Sequence, residues 1–237
     1  MTMARKRLVI AIDGPSASGK STIAKLLSKK LGYTYLDTGA IYRALALKAL
    51  QRNMELNSEK EMSRLARQSS FKFHQLGDDY MIMIDGEDVS DKIRHPQVSE
   101  AASKISSFLG VRQTLVKIQQ EIGAKGGVVA EGRDVCTKVF PEADFKFYLD
   151  ASLAERAHRR YLELKEHGII VSEEKVKEDI QRRDGSDSQR THSPLIRCEE
   201  SIYIDTTDLT IEEVLNFTLE KIKFREGDFL SLTTTEN

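Results

Sequence analysis

Residues 8–22 read LVIAIDGPSASGKST, and this stretch decides the fold of the 237-residue chain. Its first five residues are apolar and mostly β-branched, which is typical of a strand buried on both faces in a parallel sheet. After Gly14 the sequence resumes with helical spacing of apolar residues from Ile23 to Leu27. The stretch therefore predicts a buried strand, a glycine-containing loop and then a helix.

The loop between these two elements matches G-x-x-x-x-G-K-S, a pattern that binds phosphates. Gly14 and Gly19 let the backbone turn its N–H groups inward, and the start of the helix adds its positive dipole end. Lys20 can reach the β- and γ-phosphates, and the hydroxyl of Ser21 can hold Mg²⁺. The pattern alone could be a turn at an ordinary strand–helix junction. The strand before it and the helix after it favour a site for a nucleoside triphosphate.

Length and composition fit one α/β domain with room for a small insertion. The formal net charge is −1, so the chain has no overall attraction to nucleic acid or to anionic membranes, and we expect neither as a partner. No apolar run approaches membrane-spanning length, and the N-terminus lacks the apolar core of a signal peptide. Cys136 and Cys198 form no disulfide framework or metal pattern, which indicates reduced thiols in the cytoplasm. We expect a monomer that acts on small molecules.

Four further apolar segments predict the other strands of a parallel five-stranded sheet, at residues 33–36, 128–131, 145–150 and 202–205. Helical spacing or capping residues predict helices at about 20–31, from the segment DTGAIYR to about 52, from 58 onward, and at 98–107, 111–123, 154–165, 173–183 and 210–224. The polar residues 225–237 are expected to form a flexible tail.

Residues 65–96 interrupt this alternation of strands and helices. Phe71 and Phe73 alternate with polar residues, 77–79 resemble a turn, and Asp85-Gly86 between apolar positions is a strong hairpin signal. The segment is therefore predicted to be a small antiparallel insert. An insertion at the mouth of a phosphate-loop sheet usually shapes the pocket of a second substrate.

Arginines gather on two consecutive predicted helices and the adjoining turn: Arg156, Arg159, Arg160, Arg182, Arg183 and Arg190. A basic helix face is usually only solvated. Beside a phosphate loop, however, such a set can supply the cations that phosphoryl transfer needs from a mobile element. We interpret it as a lid that closes over the phosphates and excludes water. Arg43 is also a candidate anion contact, since an arginine in a first helical turn opposes the helix dipole.

Several motifs together resemble bacterial cytidylate kinases over about residues 8–224: GPSASGKST, DTGAIYRALAL, EDVSDKIRHPQVSEAASKIS, EGRDVCTKVFPEADFKFYLDAS, ERAHRR, RRDGSDSQR and SPL. The resemblance implies an α/β three-layer P-loop kinase, a nucleoside-monophosphate kinase enlarged by an antiparallel insert. It implies one domain over 1–224, with an acceptor-binding region at about 38–123, the insert at 65–96 and the lid at 154–190. It also implies transfer of the γ-phosphoryl of ATP to CMP or dCMP with Mg²⁺ and without a covalent enzyme intermediate.

The resemblance assigns the ATP site to consecutive residues of the phosphate loop: Gly14, Pro15, Ser16, Ala17, Ser18, Gly19, Lys20, Ser21 and Thr22. Ser21 would be the metal ligand. Arg156 and Arg160 would belong to the lid and meet the transferring phosphoryl, and with Lys20 and Arg133 they form the expected catalytic set.

The acceptor side follows in the same way. Arg43, Arg133 and Arg190 would hold the phosphate of the monophosphate, with Thr38 nearby. Residues expected to face the cytosine are Ser103, Arg112 and Asp134, and those expected to face the ribose hydroxyls are Arg183 and Asp187. Arginine suits phosphate because its guanidinium forms a bidentate fork, and aspartate accepts from hydroxyls and amines.

Four segments depart from the family pattern while keeping Gly14, Gly19 and the residues assigned to the acceptor; one of them, Cys198-Glu199-Glu200, is expected to lie away from the site. Ala17-Ser18 replaces a common Gly-Ala, Cys136 stands where glycine or another small residue is usual, and Gly185-Ser186 replaces more polar residues. We expect a packing change at Cys136 and altered flexibility of a lid turn at Gly185.

Two other functions are also compatible with a phosphate loop. Another small-acceptor kinase on the same fold is the closer alternative. A non-catalytic nucleotide switch or a GTPase is the more distant one, and it predicts guanine recognition by an N-K-x-D tetrapeptide, which the sequence does not contain. A switch would also have little use for an arginine lid, because the like charges repel one another when the site is empty.

Overall fold

A computed structural model describes residues 7–76, 79–166 and 168–232, with side chains described up to 74, from 80 to 166 and from 168 to 223. The strands are β1 (Val9–Asp13), β2 (Thr34–Asp37), β3 (Phe71–Leu76), β4 (Asp79–Ile84), β5 (Glu87–Asp88), β6 (Val128–Gly132), β7 (Phe145–Asp150) and β8 (Ile202–Asp205). The α-helices are α1 (Lys20–Leu31), α2 (Thr38–Gln51), α3 (Glu59–Arg67), α4 (Pro96–Ile105), α5 (Leu109–Gly123), α6 (Leu153–Glu166), α7 (Glu173–Ser188) and α8 (Ile211–Leu232).

Five strands form one sheet in the order β2-β6-β1-β7-β8, and every neighbouring pair is parallel. The predicted parallel five-stranded sheet is therefore confirmed. β1 lies in the centre because Ile10, Ala11 and Ile12 need burial on both faces, and all three are fully buried. β2 and β6 lie on one side of β1, and β7 and β8 lie on the other side. The strand order therefore changes direction at β1. A crevice at the carboxyl ends of such strands is where ligands bind in open α/β sheets.

The antiparallel insert is also confirmed, as the three-stranded sheet β3-β4-β5. Asp85 and Gly86 have φ angles of 52° and 87°, so both turn residues adopt the left-handed conformation that a two-residue hairpin requires. Gly77 and Asp78 of the other predicted turn lie outside the described residues, and Asp79 begins β4 rather than ending a turn. Ile82 and Ile84 anchor the insert in a core that it shares with α2 and α3.

Two predicted helix ends were wrong. α7 continues to Ser188, five residues beyond Arg183, so Gly185 lies within a helix and not in a lid turn. A glycine inside a helix costs about 1 kcal/mol, and the ion pairs of Asp187 in the last turn of α7 offset that cost. The final helix continues to Leu232 rather than ending near Phe224, since no proline interrupts residues 211–232. Of the predicted tail, residues 233–237 lie outside the described part of the chain.

Local capping explains how the helices around the crevice begin and end. Gly32 ends α1 in the left-handed conformation, with a φ of 65°. Asp37 caps α2 by accepting from the amide of Ala40, and Ser58 caps α3 by accepting from that of Glu61. Among the described helices, none combines the length and the apolar character that crossing a membrane requires.

Candidate active site

The phosphate loop joins β1 to α1 in the conformation that its glycines allow. Gly14 has a φ of 150°, and a Cβ there would overlap the carbonyl oxygen of Leu149, so only glycine fits against β7. Gly19, at φ 87°, precedes the first residue of α1. Ala17 stands at φ 60°, a left-handed conformation that costs a non-glycine residue about 1–2 kcal/mol. Its side chain packs against the small core between α6 and α7, so the loop contacts the predicted lid.

Lys20 is folded back into the phosphate loop. Its Nζ donates to the carbonyl oxygen of Pro15 at 2.5 Å and to Oγ of Ser18 at 3.4 Å. Burial, together with the nearby charge of Arg133, lowers the pKa of Lys20 to about 7. A polyphosphate bound in the loop would raise this pKa again, because a nearby negative charge favours the protonated amine. The charge of Lys20 therefore depends on whether an anion is bound.

Asp13 ties the end of β1 to the segment that follows β6. Its Oδ1 accepts from the amide of Val135 at 2.9 Å, and its Oδ2 accepts from that of Cys136 at 2.8 Å. Burial raises the pKa of Asp13 to about 6, although both amide bonds act in the opposite direction. These bonds fix the turn that carries Arg133 and Asp134. Cys136 is buried in the apolar cluster behind this turn.

A buried carboxylate at Glu131 was not predicted as a site residue. Its Oε1 accepts from Oγ of Ser21 at 2.7 Å and from the hydroxyl of Tyr35 at 3.1 Å. Glu131 pairs with Ile12 of β1 and Asp37 of β2, so it lies at the carboxyl edge of the sheet beside the phosphate loop. The available signal was its place in the motif EGRD at the end of a predicted strand.

The residues beside the phosphate loop fit a hard divalent cation. The Ser21 hydroxyl and the Glu131 carboxylate are oxygen ligands, which Mg²⁺ prefers, and Mg²⁺ takes most of its other ligands from phosphates and water. Among the described residues, no group of three or more His, Cys, Asp and Glu side chains is arranged to hold a metal by itself. The phosphates of a bound nucleotide would supply further oxygen ligands to a metal at this place.

Arg112 and Asp134 form a buried ion pair on the acceptor side, with relative exposures of 3% and 5%. NH1 of Arg112 donates to the carbonyl oxygen of Ser106 at 2.9 Å, and its guanidinium carbon lies 5.3 Å from the centre of the Tyr42 ring. Ser103 lines the same cavity as this pair. The three residues predicted to face the cytosine therefore lie at one cavity.

Asp187 lies among three arginines that the sequence analysis assigned to different parts of the acceptor. Arg133 and Arg190 were predicted to bind its phosphate, and Arg183 its ribose. Its carboxylate accepts from Nε of Arg133 at 2.9 Å and from Arg190, and Nε of Arg183 lies 4.0 Å away. Burial alone would raise the pKa of Asp187, but Arg133 and Arg190 hold it below its usual value. Burial and the charge of Arg133 lower the pKa of Arg183 to about 10. Without an anion, Asp187 is the carboxylate that balances these three arginines.

Arg43 is held in place by the carboxylate that also caps α2. NH2 of Arg43 donates to Oδ2 of Asp37 at 2.6 Å, while Oδ1 of Asp37 accepts from Ala40. The neighbouring Thr38 donates from Oγ1 to the carbonyl oxygen of Glu131 at 2.8 Å. Arg43 is thus oriented towards the cavity that it lines.

The arginines of α6 take different positions. Nε of Arg156 donates to the carbonyl oxygen of Ala151 at 2.9 Å, and its NH1 donates to Asp184 at 2.5 Å and to the carbonyl oxygen of Ser16 at 3.3 Å. Arg160 lies in the cavity wall and pairs with Glu163 at 2.7 Å. Arg156 therefore contacts the phosphate loop from behind the cavity, and its role at the transferring phosphoryl stays a prediction.

One cavity of about 1240 Å³ extends from the phosphate loop to the Arg112–Asp134 pair. Among the described residues, its wall includes every predicted site residue except Gly14, Pro15 and Arg156. Arg159 lines it as well, where its guanidinium donates to Thr206 of the segment after β8. The fold thus places a phosphate loop, a set of arginines and a buried polar pair in a single space.

Comparison with known proteins identifies what this arrangement resembles. The family model described as "Cytidylate kinase" matches residues 10–224. A cytidylate kinase of Caldanaerobacter subterraneus subsp. tengcongensis is 50% identical over 214 residues, which cover 90% of this chain and 94% of that protein. Those of Caldicellulosiruptor saccharolyticus and Bacillus subtilis are 46% and 44% identical, over 91% and 92% of this chain and 95% and 97% of theirs.

Proposed function

The chain belongs to the cytidylate kinase family, and we propose that it transfers the γ-phosphoryl group of ATP to CMP or dCMP in a reaction that requires Mg²⁺. As a member of this family it is a nucleoside-monophosphate kinase that acts on the small nucleotides ATP and CMP. The observation that carries the fuller proposal is the single cavity that joins the phosphate loop to the buried Arg112–Asp134 pair. A donor and an acceptor nucleotide can meet there end to end.

On the donor side, the loop from Gly14 to Thr22 would hold the phosphates of ATP through its inward amides and Lys20. Ser21 would hold the magnesium ion, and the buried carboxylate of Glu131, which already accepts from Ser21, would orient that hydroxyl. The ion, when bound, supplies positive charge that offsets the charge on the β- and γ-phosphates.

On the acceptor side, Arg43, Arg133 and Arg190 would hold the phosphate of CMP. Arg133 and Arg190 now share the carboxylate of Asp187, so an incoming phosphate would compete with it for the two guanidiniums. Arg183 and Asp187 would then contact the ribose hydroxyls. A carboxylate that balances arginines in the empty site reduces the like-charge repulsion that would otherwise destabilise the fold.

The base would be recognised by Asp134, Arg112 and Ser103. Cytosine offers an amine at position 4 and an acceptor at N3, which complement a carboxylate and a guanidinium. Uracil places a carbonyl and an N–H at the same positions, so both buried charges would lose partners. This complementarity favours CMP over UMP.

Catalysis would depend on positioning and charge. Lys20, Arg133 and Arg160 are placed around one cavity, where charge stabilisation is stronger than in water. Arg156 would act with them if α6 and α7 move towards the phosphates. No step requires a covalent enzyme intermediate or a strong general base, because the acceptor phosphate oxygen is already a nucleophile.

We further propose that the protein works as a monomer in the cytoplasm and has no nucleic-acid or membrane partner. The balanced charge provides no broad electrostatic attraction to polyanions, and both cysteines are free thiols.

An assay of ADP formation with a panel of nucleoside monophosphates tests the proposed function. We expect kcat/KM to be highest with CMP and dCMP, lower with UMP and lowest with purine nucleotides, and turnover to stop when Mg²⁺ is chelated. A preference for another acceptor, such as UMP, AMP or a non-nucleotide, would make the protein a different kinase on the same fold.

A further inference from the structure

A contact between the insert and the phosphate-loop helix joins parts of the molecule that the proposed function treats separately. Ile82 and Ile84, on the same face of β4 as Tyr80, pack in the core that the insert shares with α2 and α3. Tyr80 instead packs against the core of the main sheet, which contains Ile23, Leu27 and Tyr35. The insert thus places one aromatic side chain on the donor half of the enzyme.

The hydroxyl of Tyr80 is fixed on α1. It lies 2.9 Å from Oγ of Ser28 and 3.4 Å from the carbonyl oxygen of Lys25. Oγ of Ser28 also lies 2.8 Å from that carbonyl oxygen, so the two hydroxyls and the carbonyl form one hydrogen-bonded group in which either hydroxyl can donate to the other. Ser28 is fully buried, and it follows Ser21 by seven residues on the same face of the helix.

The aromatic ring of Tyr80 packs against the aromatic ring of Tyr35. The two centroids are 4.7 Å apart with an interplanar angle of 65°, an edge-to-face contact. Nζ of Lys25 lies 5.6 Å from the centre of the Tyr35 ring and 5.9 Å from that of Tyr80, so one cation contacts both rings.

Tyr35 connects Tyr80 to the predicted metal site through a hydrogen bond to Glu131. Its hydroxyl and that of Ser21 donate to the same oxygen of Glu131, at 3.1 and 2.7 Å. A tyrosine ring that rotated would withdraw one of these two donors and free the Glu131 carboxylate to turn.

We propose that Tyr80 is a positioning residue for the donor half of the reaction, although it belongs to the acceptor-side insert. By fixing the ring of Tyr35, it keeps Glu131 and Ser21 in the geometry that would hold magnesium and the outer phosphates. This inference rests on the proposed function and adds to it a residue through which the insert acts on the metal site.

The test compares Tyr80→Leu, which removes the aromatic edge and the hydroxyl, with Tyr80→Phe, which keeps the ring. Met83→Ala is the matched control, because Met83 lies on the opposite face of the same strand. Each protein is assayed for kcat, for the KM of ATP and CMP, and for the half-saturating Mg²⁺ concentration. Calorimetry measures ATP binding with and without Mg²⁺, in the absence of CMP, and thermal unfolding monitors the fold.

For Tyr80→Leu we expect the half-saturating Mg²⁺ concentration to rise about 5- to 10-fold, the scale of a lost aromatic pair and hydrogen bond. The ratio of the ATP affinities that calorimetry measures with and without Mg²⁺ should fall by a similar factor. The KM for CMP should stay within about twofold of the wild-type value. Tyr80→Phe should lie closer to the wild type, and Met83→Ala should match it. In a Tyr35→Phe background, which removes the donor to Glu131, Tyr80→Leu should add little.

Three results would overturn the inference: an unchanged dependence on Mg²⁺ in Tyr80→Leu with only a lower melting temperature, a rise confined to the KM of CMP, or full additivity with Tyr35→Phe. The calorimetric arm does not depend on the acceptor. If wild-type protein failed to phosphorylate CMP, the proposed function would fail, while Mg²⁺-dependent ATP binding would still decide the role of Tyr80.

Discussion

Replacing Asp134 with asparagine tests how the site distinguishes cytosine from uracil. Asp134 and Arg112 face each other with side-chain exposures of 7% and 4%, so little water screens the pair. Asparagine keeps the shape and one acceptor oxygen for Arg112, but it removes the charge and presents an amide donor that can face the uracil carbonyl.

The structural cost of this change follows from the bond that remains. A charge-assisted hydrogen bond contributes about 1.5–3 kcal/mol and a neutral one about 0.5–1.5 kcal/mol, so Asp134→Asn should lower the free energy of unfolding by about 1–2 kcal/mol. Asp134→Ala leaves the guanidinium of Arg112 buried without this partner and should cost about 3–5 kcal/mol. Urea denaturation of both variants measures the difference.

The functional cost should depend on the base. A site built on hydrogen bonds can reject a mismatched substrate by up to ~10⁴, and the carboxylate supplies part of that discrimination. We expect Asp134→Asn to lower kcat/KM for CMP by about 10²-fold and to narrow the ratio of CMP to UMP by more than about 10-fold. The assay is ADP formation with each monophosphate below its KM. If kcat/KM for both fell by the same factor, Asp134 would only hold its turn or orient Arg133, and the reasoning would be refuted.

Four further predictions concern the phosphate loop, the lid and the thiols. Lys20→Ala should keep the wild-type melting temperature and lose turnover by about 10²-fold or more, and near-normal turnover would remove Lys20 from the mechanism. Because the pKa of Lys20 is about 7 in the empty loop, it is mostly neutral at about pH 8, and ATP binding there should take up a proton. Calorimetry in buffers of different ionisation enthalpy measures this uptake, which should vanish in Lys20→Met; a wild-type binding enthalpy independent of buffer would contradict it. Arg156→Ala should lower kcat by about 10² with little change in the KM for CMP, and a rise in KM alone would make Arg156 a ground-state contact. Burial raises the pKa of Cys136 far above its usual range, so a thiol reagent should modify Cys198 in the native protein and Cys136 only after unfolding; rapid modification of both would show that Cys136 is accessible.

The main sheet and the phosphate loop could be predicted because their signals are local. The apolar run of β1 and the fixed spacing from Gly14 to Ser21 each specify a structure without reference to distant residues. The hairpin at Asp85-Gly86 is equally local, since its two left-handed residues determine the turn. The structure has these three elements at the predicted positions.

The contacts that the sequence did not reveal depend on strand order and on long-range packing. Glu131 meets Ser21 only because β6 lies between β1 and β2, an order that no local pattern encodes. The ion pairs of Asp187 with Arg133 and Arg190 were not predicted, and Asp187 makes them from the last turn of α7, which continues past Gly185. The ion pairs of Asp187, one of them with the distant Arg133, outweigh the local preference of Gly185 for a turn.

Direct transfer of the γ-phosphoryl group from ATP to CMP is the central claim, and following that group is its most direct test. ATP labelled at the γ-phosphate is incubated with the protein, Mg²⁺ and either CMP or UMP, and the products are separated by chromatography. The label should appear in CDP in equal amount to the ADP formed, with far less in UDP and none on the protein. Label released as inorganic phosphate, retained on the protein, or transferred equally to UMP would contradict the account.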